Sequence, residues 1–72
     1  MLRKDDRVQI HCPSLRKYPR FAAGFHGKTG IIEKLFDPGY SHCLKETLAP
    51  YAKVELAGGS INIELSWLRR AS

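Results

Sequence analysis

The sequence predicts an all-β fold: a small barrel of about five short strands, with a long first loop and a central insertion roomy enough for a short helical turn. Three observations carry this. Apolar and polar residues alternate with a period of two at 7–12, 51–56 and 61–65, the pattern of strands with one buried face. Glycine and proline punctuate the intervals, at Pro13, Pro19, Gly27, Gly30, Pro38, Gly39, Pro50, Gly58 and Gly59. A chain of 72 residues also has too little material to cover the edges of an open sheet, and closure removes those edges.

The first strand is Arg7-Val8-Gln9-Ile10-His11-Cys12, with Val8, Ile10 and Cys12 on one face. Pro13 removes a ladder donor and ends it. Residues 13–26 then form a long connection, broken by Pro13, Pro19 and Gly24. Gly27-Lys28-Thr29-Gly30 reads as a tight turn into a second strand opened by Ile31-Ile32. Asp37-Pro38-Gly39-Tyr40 has the central residues of a type II turn. In the insertion at 37–50, Ser41 is placed to cap one helical turn that buries Leu44 and Leu48, with an extended excursion nearly as well supported. The last third is a β-hairpin of Tyr51-Ala52-Lys53-Val54-Glu55-Leu56 and Ile61-Asn62-Ile63-Glu64-Leu65 around Ala57-Gly58-Gly59-Ser60. Val54, Leu56, Ile61, Ile63 and Leu65 face inward. Trp67 shares the parity of Ile63 and Leu65 and is expected to plug the barrel.

Charge is unevenly spread. Residues 1–36 carry eight basic side chains against three acidic ones, whereas residues 37–72 carry four of each, so the whole net charge of +5 lies in the first half. Such a face attracts polyanions or an acidic protein surface, although a net charge of this size also serves solubility alone. The first loop interleaves Arg16, Lys17 and Arg20 with Tyr18, Phe21 and Phe25. Cations neutralise phosphate while rings stack on bases or on a flat protein surface. The competing role for the rings is a lid on a thin core, expected of at least one of Phe21 and Phe25.

Other chemistries find little support. The longest apolar stretch, Phe21-Ala22-Ala23-Gly24-Phe25, cannot cross a bilayer, and the first residues do not lead into an apolar leader segment, so a cytoplasmic location without membrane contact is expected. Cys12 and Cys43 are too few for a disulfide scaffold and are expected as free, partly buried thiols. Each follows a histidine, but adjacent strand residues point to opposite faces, so His11-Cys12 and His42-Cys43 make poor metal sites. His26 is expected alone at a loop edge. Gly27-Lys28-Thr29 lacks the first glycine of a phosphate-binding loop. Ser14, Ser41, Ser60 and Ser66 have no evident His and carboxylate partners. Neither a catalytic site, a metal nor a cofactor is expected.

Asp6-Arg7-Val8-Gln9-Ile10, Phe25-His26-Gly27-Lys28-Thr29-Gly30-Ile31-Ile32, Lys53-Val54-Glu55-Leu56 and Glu64-Leu65-Ser66-Trp67-Leu68 resemble the successive strands of SH3-like barrels, including the glycine turn of KOW-type modules. The stretch from Arg20 to Ile32 is similar to a small protein of the archaeal and eukaryotic large ribosomal subunit, a resemblance that implies RNA contact through Arg16, Lys17, Arg20 and Lys28. Tyr18-Pro19, the glycine turn and Pro50-Tyr51-Ala52-Lys53-Val54-Glu55-Leu56 resemble the variable chain of ferredoxin–thioredoxin reductase, which implies a non-catalytic subunit on an iron–sulfur partner. A weaker likeness to plasmid-encoded dihydrofolate reductases rests on Asn62-Ile63-Glu64, where an acidic residue would repel an anionic cofactor. The leading expectation is therefore a non-enzymatic binding module. Arg16, Lys17, Arg20 and Lys28 hold an anionic partner, nucleic acid (RNA) before others, beside Tyr18 and Phe21. The alternative is an accessory protein-interaction subunit whose cations steer an acidic protein surface, including that of a ferredoxin-linked redox complex. A homodimer formed through the exposed aromatics is the third reading.

Overall fold

The alternation in the sequence becomes a buried face. In the computed structural model, which describes residues 1–71, Val8, Ile10, Ile32, Ala52 and Val54 are fully shielded from solvent, and Cys12, Ile63 and Leu68 nearly so. The elements that place them are β1 (Arg7–Ile10), α1 (Pro19–Phe25), β2 (Thr29–Phe36), β3 (Gly39–Ser41), β4 (Glu46–Leu48), β5 (Tyr51–Leu56), β6 (Gly59–Glu64), a 3-10 turn (Leu65–Trp67) and β7 (Leu68–Arg70). A five-stranded antiparallel sheet runs in the order β6-β5-β2-β1-β7, and β3 pairs with β4 as a separate hairpin.

Strand β2 is the centre of this arrangement, pairing with β1 on one side and β5 on the other. Its register shifts between Ile32, opposite Val54, and Lys34, opposite Lys53, so Glu33 is the extra residue of a β-bulge. Ile32 and Leu35 are three residues apart, and the inserted residue sets them opposite Val54 and Ala52, with Ile32 buried and Leu35 exposed. On the other face Phe36 stacks on its partner Tyr51, with ring centroids 4.8 Å apart, and Lys34 Nζ lies 5.1 Å from the Phe36 ring.

The five-stranded sheet does not close into the barrel expected from the sequence. β6 and β7 follow one another in the chain yet lie at opposite edges. The twist of about 20–25° per strand pair curls five strands without bringing those edges to ladder distance. β7, three residues long, spends its length pairing with β1 through Ile10 and Leu68. The 3-10 turn spans the gap, and Phe21, Phe25, Leu65 and Trp67 pack against the core beside it. Trp67 is thus half-buried at the rim of the core rather than a plug in its centre.

Three local expectations also change. Residues 13–26 are not all loop, because Pro19–Phe25 is helical with proline in its first turn, where its fixed φ and missing N–H are favourable. The insertion at 37–50 holds no helical turn. Nucleating four residues of helix gives little return, whereas pairing Gly39 with Leu48 and Ser41 with Glu46 satisfies the backbone as a hairpin. Its tip leaves Leu44 exposed, and the Ser41 hydroxyl accepts the Leu44 N–H at 3.2 Å without capping a helix. The β5–β6 connection is two residues long, since Leu56 already pairs with Gly59, which has φ 140°.

Gly30 sets the approach of β2 to β5. A Cβ there would lie 2.5 Å from the Glu55 carbonyl oxygen and 2.7 Å from Leu56 Cδ2 and Val54 Cγ1. A backbone oxygen cannot step aside as a flexible side-chain end can. Gly30→Ala should therefore destabilise the fold by about 1–3 kcal/mol, read as a lower urea midpoint. Gly58→Ala, where a Cβ meets nothing within 4 Å, should leave the midpoint nearly unchanged, and equal effects of the two substitutions would contradict this packing.

Candidate functional site

The first loop owes its shape to short-range bonds. The Ser14 hydroxyl accepts the Lys17 N–H at 3.1 Å, and the Tyr18 N–H donates to the Ser14 carbonyl at 3.1 Å. The turn so formed holds Arg16 and Lys17 in solvent. Pro19 then opens α1, and Phe21 and Phe25, one turn apart, share a helix face that packs on the core.

On this frame the aromatic residues form a continuous run. Tyr18 lies against Trp67, Trp67 against Phe21, and Phe21 against Phe25, each pair with ring centroids 5.1 Å apart. All four rings are half-buried. Phe21, Phe25 and Trp67 pack against the core, so the lid role expected of at least one of Phe21 and Phe25 is taken by both. Lys17 Nζ sits 5.4 Å from the centre of the Tyr18 ring, within the range of a cation–π contact.

Of the residues proposed from sequence, the structure brings Arg16, Lys17, Tyr18, Arg20 and Phe21 onto one turn and the start of one helix, and Arg16, Lys17 and Arg20 are exposed. Lys28 stands apart, past the end of α1. Its carbonyl accepts the Ile10 N–H at 2.8 Å, and its N–H donates to the Phe25 carbonyl at 3.0 Å. There it borders a groove of about 540 Å³ between the start of β2 and the tip of the β5–β6 hairpin, floored by Phe25, Leu56 and Ile61.

Folding sharpens the charge asymmetry. Glu33 pairs with Lys53 at 3.7 Å and Asp6 with Arg70 at 3.2 Å. In both pairs the acid belongs to the first half of the chain and the cation to the second. Among the described residues, none of the eight first-half cations takes part in an ion pair. Exposed pairs such as these contribute at most about 1 kcal/mol each. Their effect here is on where positive charge remains.

His26 is not alone. Its Nδ1 accepts the Cys12 N–H at 3.0 Å, and its ring centroid lies 5.3 Å from that of His11. The acceptor role leaves the imidazole proton on Nε2. Cys12 is buried and free, its thiol donating to the Ser14 carbonyl at 3.4 Å, while Cys43 is free and exposed at the tip of the β3–β4 hairpin rather than partly buried. Among the described residues no three His, Cys, Asp or Glu side chains gather as a metal-binding group. Among the described residues no helix is long and apolar enough to cross a membrane.

Sequence reasoning missed the place of Trp67 in the aromatic run, and missed Phe25 as a groove wall. A signal for the helix was present, in a proline followed by phenylalanines four apart with two alanines between them. Nothing local linked the 3-10 turn to the first loop. No family model matches this chain, and neither a curated protein nor a solved structure is significantly similar to it.

Because His26 supplies the acceptor for a part-buried N–H that ties the segment after β1 to the end of α1, His26→Ala should cost about 0.5–1.5 kcal/mol. The expected readings are a lower denaturation midpoint and faster hydrogen exchange at the Cys12 amide. Unchanged exchange at that amide would show that the bond contributes nothing.

Proposed function

We propose that this chain is a non-enzymatic binding module of SH3-like kind whose first loop holds single-stranded RNA. The observation that carries the reading is the set of exposed cations Arg16, Lys17 and Arg20, which form no ion pair among the described residues, beside the half-buried residues Tyr18, Trp67 and Phe21. Cations of this kind neutralise phosphates, and ring edges and faces open to water receive unstacked bases. Arg guanidinium groups also suit phosphate through their fork of donors. Lys28 extends the positive surface past the far end of α1.

The SH3-like reading draws support from the strand order, in which the last strand returns beside β1 after a 3-10 turn. The non-enzymatic reading draws support from the hydroxyls, which are engaged structurally: Ser14 and Ser41 accept backbone N–H groups, while Ser60 and Ser66 donate to Glu33 and Glu64. None of these four is bonded to a histidine.

The test is fluorescence anisotropy of a short single-stranded RNA across a salt series. For single strands log K falls by about 0.7 per phosphate contact for each decade of salt. Four contacts should weaken binding about fifty-fold between about 50 and about 200 mM salt. Arg16→Ala/Arg20→Ala should weaken binding at low salt and flatten the slope by about 1.4. Failure to bind RNA at low salt would reject the reading in favour of an acidic protein surface, whose docking on a hydrophobic centre would survive moderate salt.

A further inference from the structure

We propose that the groove between Lys28 and the β5–β6 hairpin tip receives one unstacked nucleotide of the bound strand, its base on Phe25, Leu56 and Ile61 and its phosphate at Lys28. The inference rests on the RNA reading and names a subsite within it. The aromatic run starts at Tyr18, beside Arg16 and Lys17, and ends at Phe25, which is a wall of the groove. Three ring-to-ring contacts thus lead from the cationic loop to the groove, with Arg20 near one end and Lys28 at the other.

The groove suits a flat, partly apolar anion. Its floor is apolar and no acidic residue is among its described lining, although the Glu33 carboxylate accepts the hydroxyl of the rim residue Ser60 at 2.9 Å. Thr29 brings a hydroxyl to the rim, beside the Ser60 hydroxyl whose proton is given to Glu33, and Gly58 and Gly59 expose hairpin backbone without side chains. Such groups can hydrogen-bond the edge of a base whose face lies on an aromatic ring. Its volume of about 540 Å³ lies within the range of small-ligand sites. Duplex RNA would keep its bases stacked and could not use the groove, so the site selects single strands.

The experiment moves one abasic site along a short single-stranded RNA and measures affinity for the whole chain and for Gly58→Leu. Position 58 lines the groove, is outside the positive-φ region and has open space around a Cβ placed there, so a leucine adds bulk at the groove without a backbone clash. In the unaltered protein, loss of the base at one position should cost about tenfold in affinity, and loss at the flanking positions less. In Gly58→Leu the same abasic site should cost nothing further, because the base no longer enters, while the salt slope stays the same. Backbone amide resonances of Gly59 and Ser60 should shift on titration with RNA in the unaltered protein. Tight, salt-sensitive binding with no positional effect of abasic sites, or with those resonances unmoved, would overturn the subsite and leave the RNA reading standing. No RNA binding at low salt, or movement of the groove resonances by an acidic peptide instead, would overturn both.

Discussion

The close passage of β2 over β5 at Gly30 is the constraint on which the remaining structure depends. With no side chain at that position, β2 approaches the Glu55 carbonyl, Leu56 and Val54 more closely than any other residue would allow. Ile32 then meets Val54, and the bulge at Glu33 sets Leu35 opposite Ala52. A domain of this size has few fully buried side chains, the largest being Ile10, Ile32, Val8 and Val54. Each contributes about 1.5–3 kcal/mol of burial to a net stability of about 5–15 kcal/mol. The sheet tolerates little misplacement at its centre.

The same economy gives the surface residues second roles. The rings of Phe21, Phe25 and Trp67 complete a core that the open sheet leaves uncovered, and these residues remain half-buried rather than fully enclosed. The ion pairs Glu33–Lys53 and Asp6–Arg70 fasten strand to strand and the N-terminal segment to β7. In doing so they consume acids from the half of the chain that has fewest. What remains is positive charge beside half-buried aromatic residues, reached by a division of labour between core and rim.

The inward-facing residues were legible in the sequence because strand periodicity is a local signal. Val8, Ile10, Cys12, Val54 and Ile63 are buried where the alternation places them, and Lys53, Glu55, Asn62 and Glu64 are outside. Local chemistry also marked the cations of the first loop as solvent-facing and Gly27-Lys28-Thr29-Gly30 as a turn into a strand, with Gly27 at φ 84°. Short elements were harder. Seven helical residues at Pro19–Phe25 and a three-residue strand at Gly39–Ser41 carry too few repeats for a period to separate helix, strand and loop.

The sequence by itself determined the strand faces, the turns and the one-sided distribution of charge, since each follows from the chemistry of neighbouring residues. Only the tertiary structure decided that the sheet stays open, because closure depends on how twist accumulates across strands distant in the chain. It alone decided that Trp67 sits between Tyr18 and Phe21, almost fifty positions away, and that His26 supports Cys12. The groove beside Lys28 likewise exists only because the end of α1 meets the tip of a hairpin formed much later in the chain. Contacts of that kind are set by the packing of whole elements, on which no local spacing in the sequence bears.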